Sequence, residues 1–414
     1  MTKPFELKEE AERLILVGVQ EQTDDDTEDS VYELGELVRT AGGEVVGTMI
    51  QRREKIHPGT YIGTGKIEEL RMMADALEAT GIVCDDELSL AQMNNLQQEL
   101  DLKIMDRTLV ILDIFAKHAV TSEGKIQVEL AQLRYRAAHL KGMGRSLSRL
   151  GGGIGTRGPG EKKLEVDRRR IHERIGQLKR ELAEVVKHRE LIRAQRKRSH
   201  KKVAALTGYS SSGKSSIENY LTNAGILEDA KLFSTLDTTT RVLQLSGKQE
   251  ILLTDTVGFI RKLPHHLIEA FKSTLEEVYY ADIIIHVVDA SNPQMEAQMQ
   301  VVYETLRQLK AEDKPVITVF NKQDKLVNKR TFTDPNADYA ILTSAKTGQG
   351  MEELKQRLEQ LLRRNQIYVE RVYPYSQAGI LQMIRTQGEL LEEEYLDEGI
   401  SVRAYVPKEI YGKV

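Results

Sequence analysis

Two glycines five positions apart, Gly208 and Gly213, enclose Tyr209, Ser210, Ser211 and Ser212 and lead directly into Lys214 and Ser215. Residues of these types at this spacing bind phosphate. The glycines let successive backbone N–H groups turn inward on the α- and β-phosphates of a nucleotide, and the N-terminus of the following helix adds its dipole. Lys214 then supplies a point charge to the β and γ oxygens, while Ser215 offers a hydroxyl to Mg²⁺. Downstream, Asp255-Thr256-Val257-Gly258 provides a carboxylate for Mg²⁺ and a glycine N–H that can reach a γ-phosphate. Asn321-Lys322-Gln323-Asp324 and Ser344-Ala345-Lys346 address the base. Asp324 can accept from both N1–H and the 2-amino group of guanine, and the Ala345 N–H can donate to O6. Adenine lacks both donors and would leave a buried carboxylate unpaired, at a cost of ~1–3 kcal/mol. GTP is therefore expected in preference to ATP.

The segment Phe233-Ser234-Thr235-Leu236-Asp237-Thr238-Thr239-Thr240-Arg241 lies where a switch loop must bring a threonine to Mg²⁺ and the γ-phosphate. It holds four threonines, and spacing alone does not choose among them. Phe259 follows Gly258, where many signalling GTPases carry a glutamine that orients the attacking water. A phenyl ring cannot do this, so unassisted hydrolysis is expected to be slow, near ~10⁻⁴–10⁻³ s⁻¹, with a partner completing or ordering the site. The alternative is that Phe259 packs in the core and another group orients water, His265 and His266 being the nearest substitutes.

Elements must bring these residues together. Each motif follows an apolar, β-branched run: Val203–Thr207, Ile251–Leu253, Val316–Phe320 and Ile341–Thr343. Motifs at the C-terminal ends of successive strands are the mark of a parallel, doubly wound α/β domain, here placed at 202–364. Residues 1–120 alternate in the same way, as a small α/β subdomain. Leu14–Val19 reads as a strand, and Val31, Leu34, Leu37, Val38 and Ala41 form one helical face stopped by Gly42-Gly43. A second strand runs through Val45 and Val46, with others at Gly81–Cys84 and Lys103–Met105. Ser89-Leu90-Ala91-Gln92 has capping-box spacing. Residues 121–201 read as an antiparallel helical hairpin around a Gly-rich loop at 151–161. Its seam is Ile126, Leu130, Leu133, Ala137 and Leu140 against Leu164, Ile171, Ile175, Leu178, Leu182, Val185 and Ile192. An unbroken second arm would run ~60 Å, so its far end must dock elsewhere or break, with Gly176 the natural point. A small α+β domain of β-α-β-β character fills 365–414.

Charge sorts these regions by partner. The chain of 414 residues carries a net charge of -4, yet Leu133 to Lys202 holds 22 Lys and Arg against 7 Asp and Glu. Arg145, Arg149, Arg157, Lys162 and Lys163 cluster about the Gly-rich loop and can meet RNA phosphates. Tyr135 is the only aromatic residue in the basic segment, which favours recognition of RNA shape over base stacking. The alternative is a solvated helical face. No stretch reads as a signal peptide or membrane span, and the single cysteine, Cys84, fits a reducing cytoplasm.

The chain resembles the HflX GTPases of the Obg–HflX group. The residues that carry this are Tyr61-Ile62-Gly63-Thr64-Gly65-Lys66, Asp106-Arg107-Thr108, Glu123–Leu133, Gly151–Glu161 and Asp255–Arg261. The resemblance implies an N-terminal HflX domain over 1–201, a G domain and a small C-terminal domain. It further implies a cytoplasmic, monomeric factor, partly ribosome-associated, that binds the large ribosomal subunit and its rRNA, splits stalled or idle ribosomes and hydrolyses GTP to GDP. Thr235 becomes the implied switch ligand for Mg²⁺. Ser211 stands where the family has an asparagine that assists potassium-dependent hydrolysis, which leaves a monovalent-cation requirement open. The family's proline after Leu-Asp is Thr238 here. Ala137-Ala138-His139 and Leu150 replace Leu-Pro-Arg and Gln near the hairpin. Two other readings are an assembly or quality-control GTPase on the same particle, and ATP-dependent RNA remodelling with Gly63-Thr64-Gly65-Lys66 as a phosphate cradle.

Overall fold

The computed structural model describes residues 11–21, 26–147, 159–198, 201–222, 232–233, 239–245, 250–262, 264, 272–326, 331–364 and 366–414. Its chain forms two compact units. One comprises Met1–Glu184 with Lys231–Phe233 and Arg261–Phe271, the other Val185–Ala230, Ser234–Ile260 and Lys272–Val414.

The first unit is built on four parallel strands, β1 (Arg13–Glu21), β2 (Glu44–Arg53), β3 (Gly81–Cys84) and β4 (Lys103–Asp106), in the order β2-β1-β3-β4. Helices α1 (Thr27–Ala41), α2 (Thr64–Ala76), α3 (Leu90–Leu100) and α4 (Arg107–His118) connect and flank them. α1 ends as its sequence predicts: Val31, Leu34, Leu37 and Val38 are buried, and Gly42 adopts φ +94°, where glycine is unstrained. Each such side chain removed from water contributes about 1.5–3 kcal/mol. The capping box forms, with Ser89 Oγ accepting from the Gln92 N–H and Gln92 Oε1 from the Ser89 N–H.

Two long helices follow, α5 (Ser122–Leu147) and α6 (Pro159–Arg198). α6 passes through Gly176 without a break, since one helical glycine costs only about 1 kcal/mol against alanine. The first unit ends at Glu184 within this helix and the second takes over at Val185. The seam differs from the periodic reading. On α5 the buried stripe is Gly124, Gln127, Val128, Ala131 and Tyr135, together with Leu130, whereas Ile126, Leu133 and Ala137 are half-buried. On α6 Leu178 is buried and Ile171, Ile175, Leu182 and Val185 are half-buried. The α5 stripe turns inward because Tyr135 donates to Asp106 Oδ2 at 3.0 Å. Arg174 pairs bidentately with Glu129 at 2.7 and 2.9 Å and ties α6 to α5.

The second unit contains a six-stranded sheet of β5 (Val203–Gly208), β6 (Thr239–Gln244), β7 (Glu250–Asp255), β8 (Ile283–Asp289), β9 (Val316–Asn321) and β10 (Tyr339–Leu342). The order is β10-β9-β8-β5-β7-β6, parallel except for β6 against β7. Helices α7 (Lys214–Thr222), α8 (Lys272–Tyr280), α9 (Met295–Gln308) and α10 (Met351–Arg363) accompany it. β5 pairs with β7 on one side and β8 on the other. Connections therefore diverge at its C-terminal end, where α/β sheets bind ligands. The chain ends in an antiparallel sheet of β11 (Gln366–Tyr373), β12 (Glu389–Leu396) and β13 (Gly399–Pro407), with α11 (Ala378–Gln387) and α12 (Lys408–Tyr411). Arg363 at the end of α10 pairs with the buried Glu389 at 2.6 Å and lies over the Tyr405 ring. Among the described residues no helix is long and apolar enough to cross a membrane.

Candidate nucleotide site

The phosphate loop leaves β5 at Gly208, whose φ of +151° and position against the Val287 carbonyl, 2.2 Å from where a Cβ would stand, admit glycine alone. Gly213, at φ +98°, would set a Cβ 2.2 Å from Asn321 Nδ2. Ser211 between them is also left-handed, at φ +60°. Tyr209, Ser210 and Ser212 are buried. α7 begins at Lys214, so its first N–H groups and dipole face the loop.

Lys214 is buried, with Nζ donating to the Gly208 and Tyr209 carbonyls at 3.3 and 3.0 Å. Burial pushes its ammonium down to about 8, with Asp255 opposing the shift and Lys322 adding to it. A phosphate arriving here would add to the counter-charge that Asp255 supplies only in part. Ser215 donates to Asp255 Oδ2 at 2.8 Å, which brings a hydroxyl and a carboxylate together at the loop. Both are hard oxygen donors, so the pair fits Mg²⁺. Gly258 is packed so closely that a Cβ would lie 2.7 Å from Ser210 Cα and 2.9 Å from Lys214 Nζ. Thr256 donates to the Leu206 carbonyl at 2.7 Å, and Val257 is buried.

Phe259 is a packing residue. Its side chain is buried, its N–H donates to the Gly208 carbonyl at 3.1 Å, and its carbonyl accepts from Ser210 at 2.7 Å. These bonds zip the segment after Asp255 onto the phosphate loop. Immediately beyond it, Arg261 and Lys262 belong to the first unit. Lys262 pairs there with Asp85 and Asp86 at 2.6 and 2.8 Å. Asp85 also receives the buried Arg107 at 3.0 Å, and Arg107 in turn donates to the Arg261 carbonyl at 3.1 Å. Burial works to raise the Asp85 carboxyl, but Arg107 and Lys262 outweigh it and hold it below the ordinary range.

The two motifs expected to read the base are joined by Asn321. Its Nδ2 donates to the Ser212 carbonyl and its Oδ1 accepts from the Ala345 N–H, both at 3.0 Å. The N–H expected to address guanine O6 is thus already engaged, and O6 would have to share it. Lys322, left-handed at φ +63°, donates to the Ser211 carbonyl and to Asp289 Oδ2, each at 2.7 Å. Asp324 is exposed, whereas the expected cost of admitting adenine assumes a buried carboxylate; it accepts from Ser344 Oγ at 2.7 Å, a bond that lowers its carboxyl below the usual range. Gln323 donates its N–H to the Thr343 carbonyl, and Lys346 follows Ala345 on the facing loop. Asp289 escaped the sequence reading. Its signal was an apolar strand ending in a carboxylate, as at Asp255.

Of the switch residues, Phe233 is buried, edge-on to Phe115 at 4.7 Å within the first unit. Ser234, Thr235, Leu236, Asp237 and Thr238 lie outside the described residues, as do His265 and His266. Thr239 and Thr240 stand in β6 with hydroxyls engaged, the first to Glu218 and the second to Thr254. Of the residues expected to contact RNA, Arg149 and Arg157 lie outside the described residues, and so do the side chains of Arg145, Lys162 and Lys163. Tyr135 is buried and bonded to Asp106, so it offers no stacking platform. At the second phosphate-cradle candidate, the Gly63 N–H donates to Gln51 and Lys66 pairs with Glu69.

Three family descriptions match the chain: GTP-binding GTPase N-terminal over residues 28–116, GTP-binding GTPase middle region over 118–196, and 50S ribosome-binding GTPase over 203–322. GTPase HflX of Lacrimispora saccharolytica is 61% identical over 414 residues, spanning 100% of this chain and 98% of that one. GTPase HflX of Caldanaerobacter subterraneus subsp. tengcongensis is 47% identical, spanning 98% and 93%. The Escherichia coli GTPase HflX is 38% identical, spanning 97% and 95%. Among solved structures, a GTP-binding protein from Sulfolobus solfataricus in complex with GDP aligns at 23% identity and a TM-score of 0.46, covering 85% of this chain and 99% of that one.

Proposed function

The chain belongs to the HflX GTPase family, and from that premise we propose that it is a GTP-switched factor of the large ribosomal subunit that splits stalled or idle ribosomes. Hydrolysis to GDP and phosphate resets the factor. One observation carries this reading furthest: the 50S ribosome-binding GTPase match spans 203–322, which includes the phosphate loop, Asp255, Gly258 and the start of the base-reading motif.

In this reading Gly208–Gly213 hold phosphate oxygens through backbone N–H groups, and Lys214 exchanges its two carbonyl partners for the β and γ oxygens. Ser215 and Asp255 hold Mg²⁺, with Thr235 arriving from the switch loop. The ion, when bound, offsets charge on the γ-phosphate. Gly258 donates to that phosphate, and Asp324 reads the guanine edge. The buried Phe259 leaves the orientation of water to another group, which accords with slow turnover alone and stimulation on the ribosome. The proposed domains are 1–201, 202–364 and 365–414. Arg145, Arg149, Arg157, Lys162 and Lys163 are the proposed contacts to rRNA, and the exposed Arg168, Arg169, Lys179 and Arg180 on α6 extend the same charge.

GTP turnover with purified large subunits at graded salt tests this. Stimulation is expected, and a surface making ~6–10 phosphate contacts should lose about 10³–10⁵ in affinity between about 50 and 200 mM salt. No stimulation at any salt would reject the proposal. Stimulation without subunit separation would favour an assembly role.

A further inference from the structure

Glu218 lies on α7 three residues past Ser215, wholly buried. Its carboxylate accepts the Thr239 hydroxyl on both oxygens, at 2.9 and 3.2 Å, while the Arg241 guanidinium stands off at 3.8 Å. A buried carboxylate with a neutral hydroxyl as its close donor is costly, and an aliphatic side chain would fill the same helix position without that penalty. Burial first, and the charge of Asp255 second, push the Glu218 carboxyl up to about 7. The fold therefore holds this group against its solvation.

Thr239 explains what is gained. It is the first residue of β6, and in the β6–β7 register it stands opposite Asp255. The switch segment thus re-enters the sheet beside the carboxylate assigned to Mg²⁺. We propose that Glu218 is a positioning residue of the nucleotide switch, pinning the return of the switch loop at Thr239 to the helix that carries Lys214 and Ser215. The anchor holds the start of β6 beside Asp255 and so fixes, before any ion binds, the spacing between that carboxylate and the helix that carries Ser215.

This inference rests on Ser215 and Asp255 holding Mg²⁺. Its test measures kcat, KM and the Mg²⁺ concentration for half-maximal GTP turnover in the full chain, together with GDP affinity and thermal stability. The variants are Glu218→Ala, Glu218→Gln, Thr239→Val, the Glu218→Ala/Thr239→Val double and Asp255→Asn. Glu218→Ala and Thr239→Val should each raise the Mg²⁺ requirement and lower kcat about tenfold, the kinetic equivalent of ~1.4 kcal/mol. GDP affinity, which needs no γ-phosphate contact, should stay within about twofold of wild type, and the double variant should be no worse than either single one. Glu218→Gln keeps an acceptor for the Thr239 hydroxyl and should recover most of the loss. Additive effects in the double, an unchanged Mg²⁺ requirement in Thr239→Val, or GDP affinity falling in parallel with turnover would overturn the inference. If Glu218→Ala does not fold, Glu218→Gln and Thr239→Val still decide. An unaltered Mg²⁺ response in Asp255→Asn would instead reject the underlying metal assignment.

Discussion

His286 sits in the middle of β8 with its ring edge-on to Tyr303 at 5.1 Å. Burial pushes its imidazole down to about 4; Asp334 opposes that shift and Lys214 adds to it. The folded chain holds this ring neutral while the unfolded chain protonates it near pH 6.5. Stability is therefore unaffected above about 6.5 and falls progressively as pH drops toward about 4, by on the order of 3 kcal/mol. Urea midpoints at pH 6.5 and 4.5 should differ clearly less in His286→Gln than in wild type; equal differences would assign the acid sensitivity to other groups. At the same scale, Asn321 shows how one side chain serves two motifs. Its amide bonds Ser212 in the phosphate loop and Ala345 in the loop proposed to read the base, so the two loops share a residue.

At the scale of elements, α6 stays helical through a glycine whose absent Cβ would meet nothing within 4 Å. Gly176→Ala should accordingly stabilise the protein by about 0.5–1 kcal/mol, chiefly by restricting the unfolded chain. A thermal or chemical midpoint at or below that of wild type would contradict this. The continuity of α6 also shows where the sequence was hard to read. Periodicity located both long helices, but their buried stripe was set by tertiary partners such as Asp106 for Tyr135, which no local pattern announces. The strands before each nucleotide motif were legible because apolar runs ended in residues with specific chemistry. β6 was not: Thr239–Gln244 is a polar edge strand whose pairing depends on β7. Glu218 was illegible for the same reason, as its role requires Thr239 to lie beside α7. The glycines of the phosphate loop were plain, since positive φ and close approach leave no other residue type.

Across the whole molecule, a net charge of -4 conceals a strongly basic segment from Leu133 to Lys202 between acidic flanks. If the proposed contact with rRNA holds, acidic flanks would discourage indiscriminate RNA binding and leave the basic stretch to make it. The compact units do not follow the linear order of the chain, because Phe233, Arg261 and Lys262 complete the first unit from within the sequence of the second. A chain ending at Lys201 lacks the Lys262 partner of the buried Asp85, a loss of about 1–3 kcal/mol. Its Gly81–Cys84 amides should exchange hydrogen about tenfold faster or more than in the full chain; equal protection would show that the first unit is complete without Lys262. The same arrangement sets a schedule for synthesis. Lys262 emerges some 80 residues after Glu184, roughly 4–16 s later at ~5–20 residues per second. The unit that is made first is therefore finished late, and for those seconds Asp85 waits for its lysine on a nascent chain.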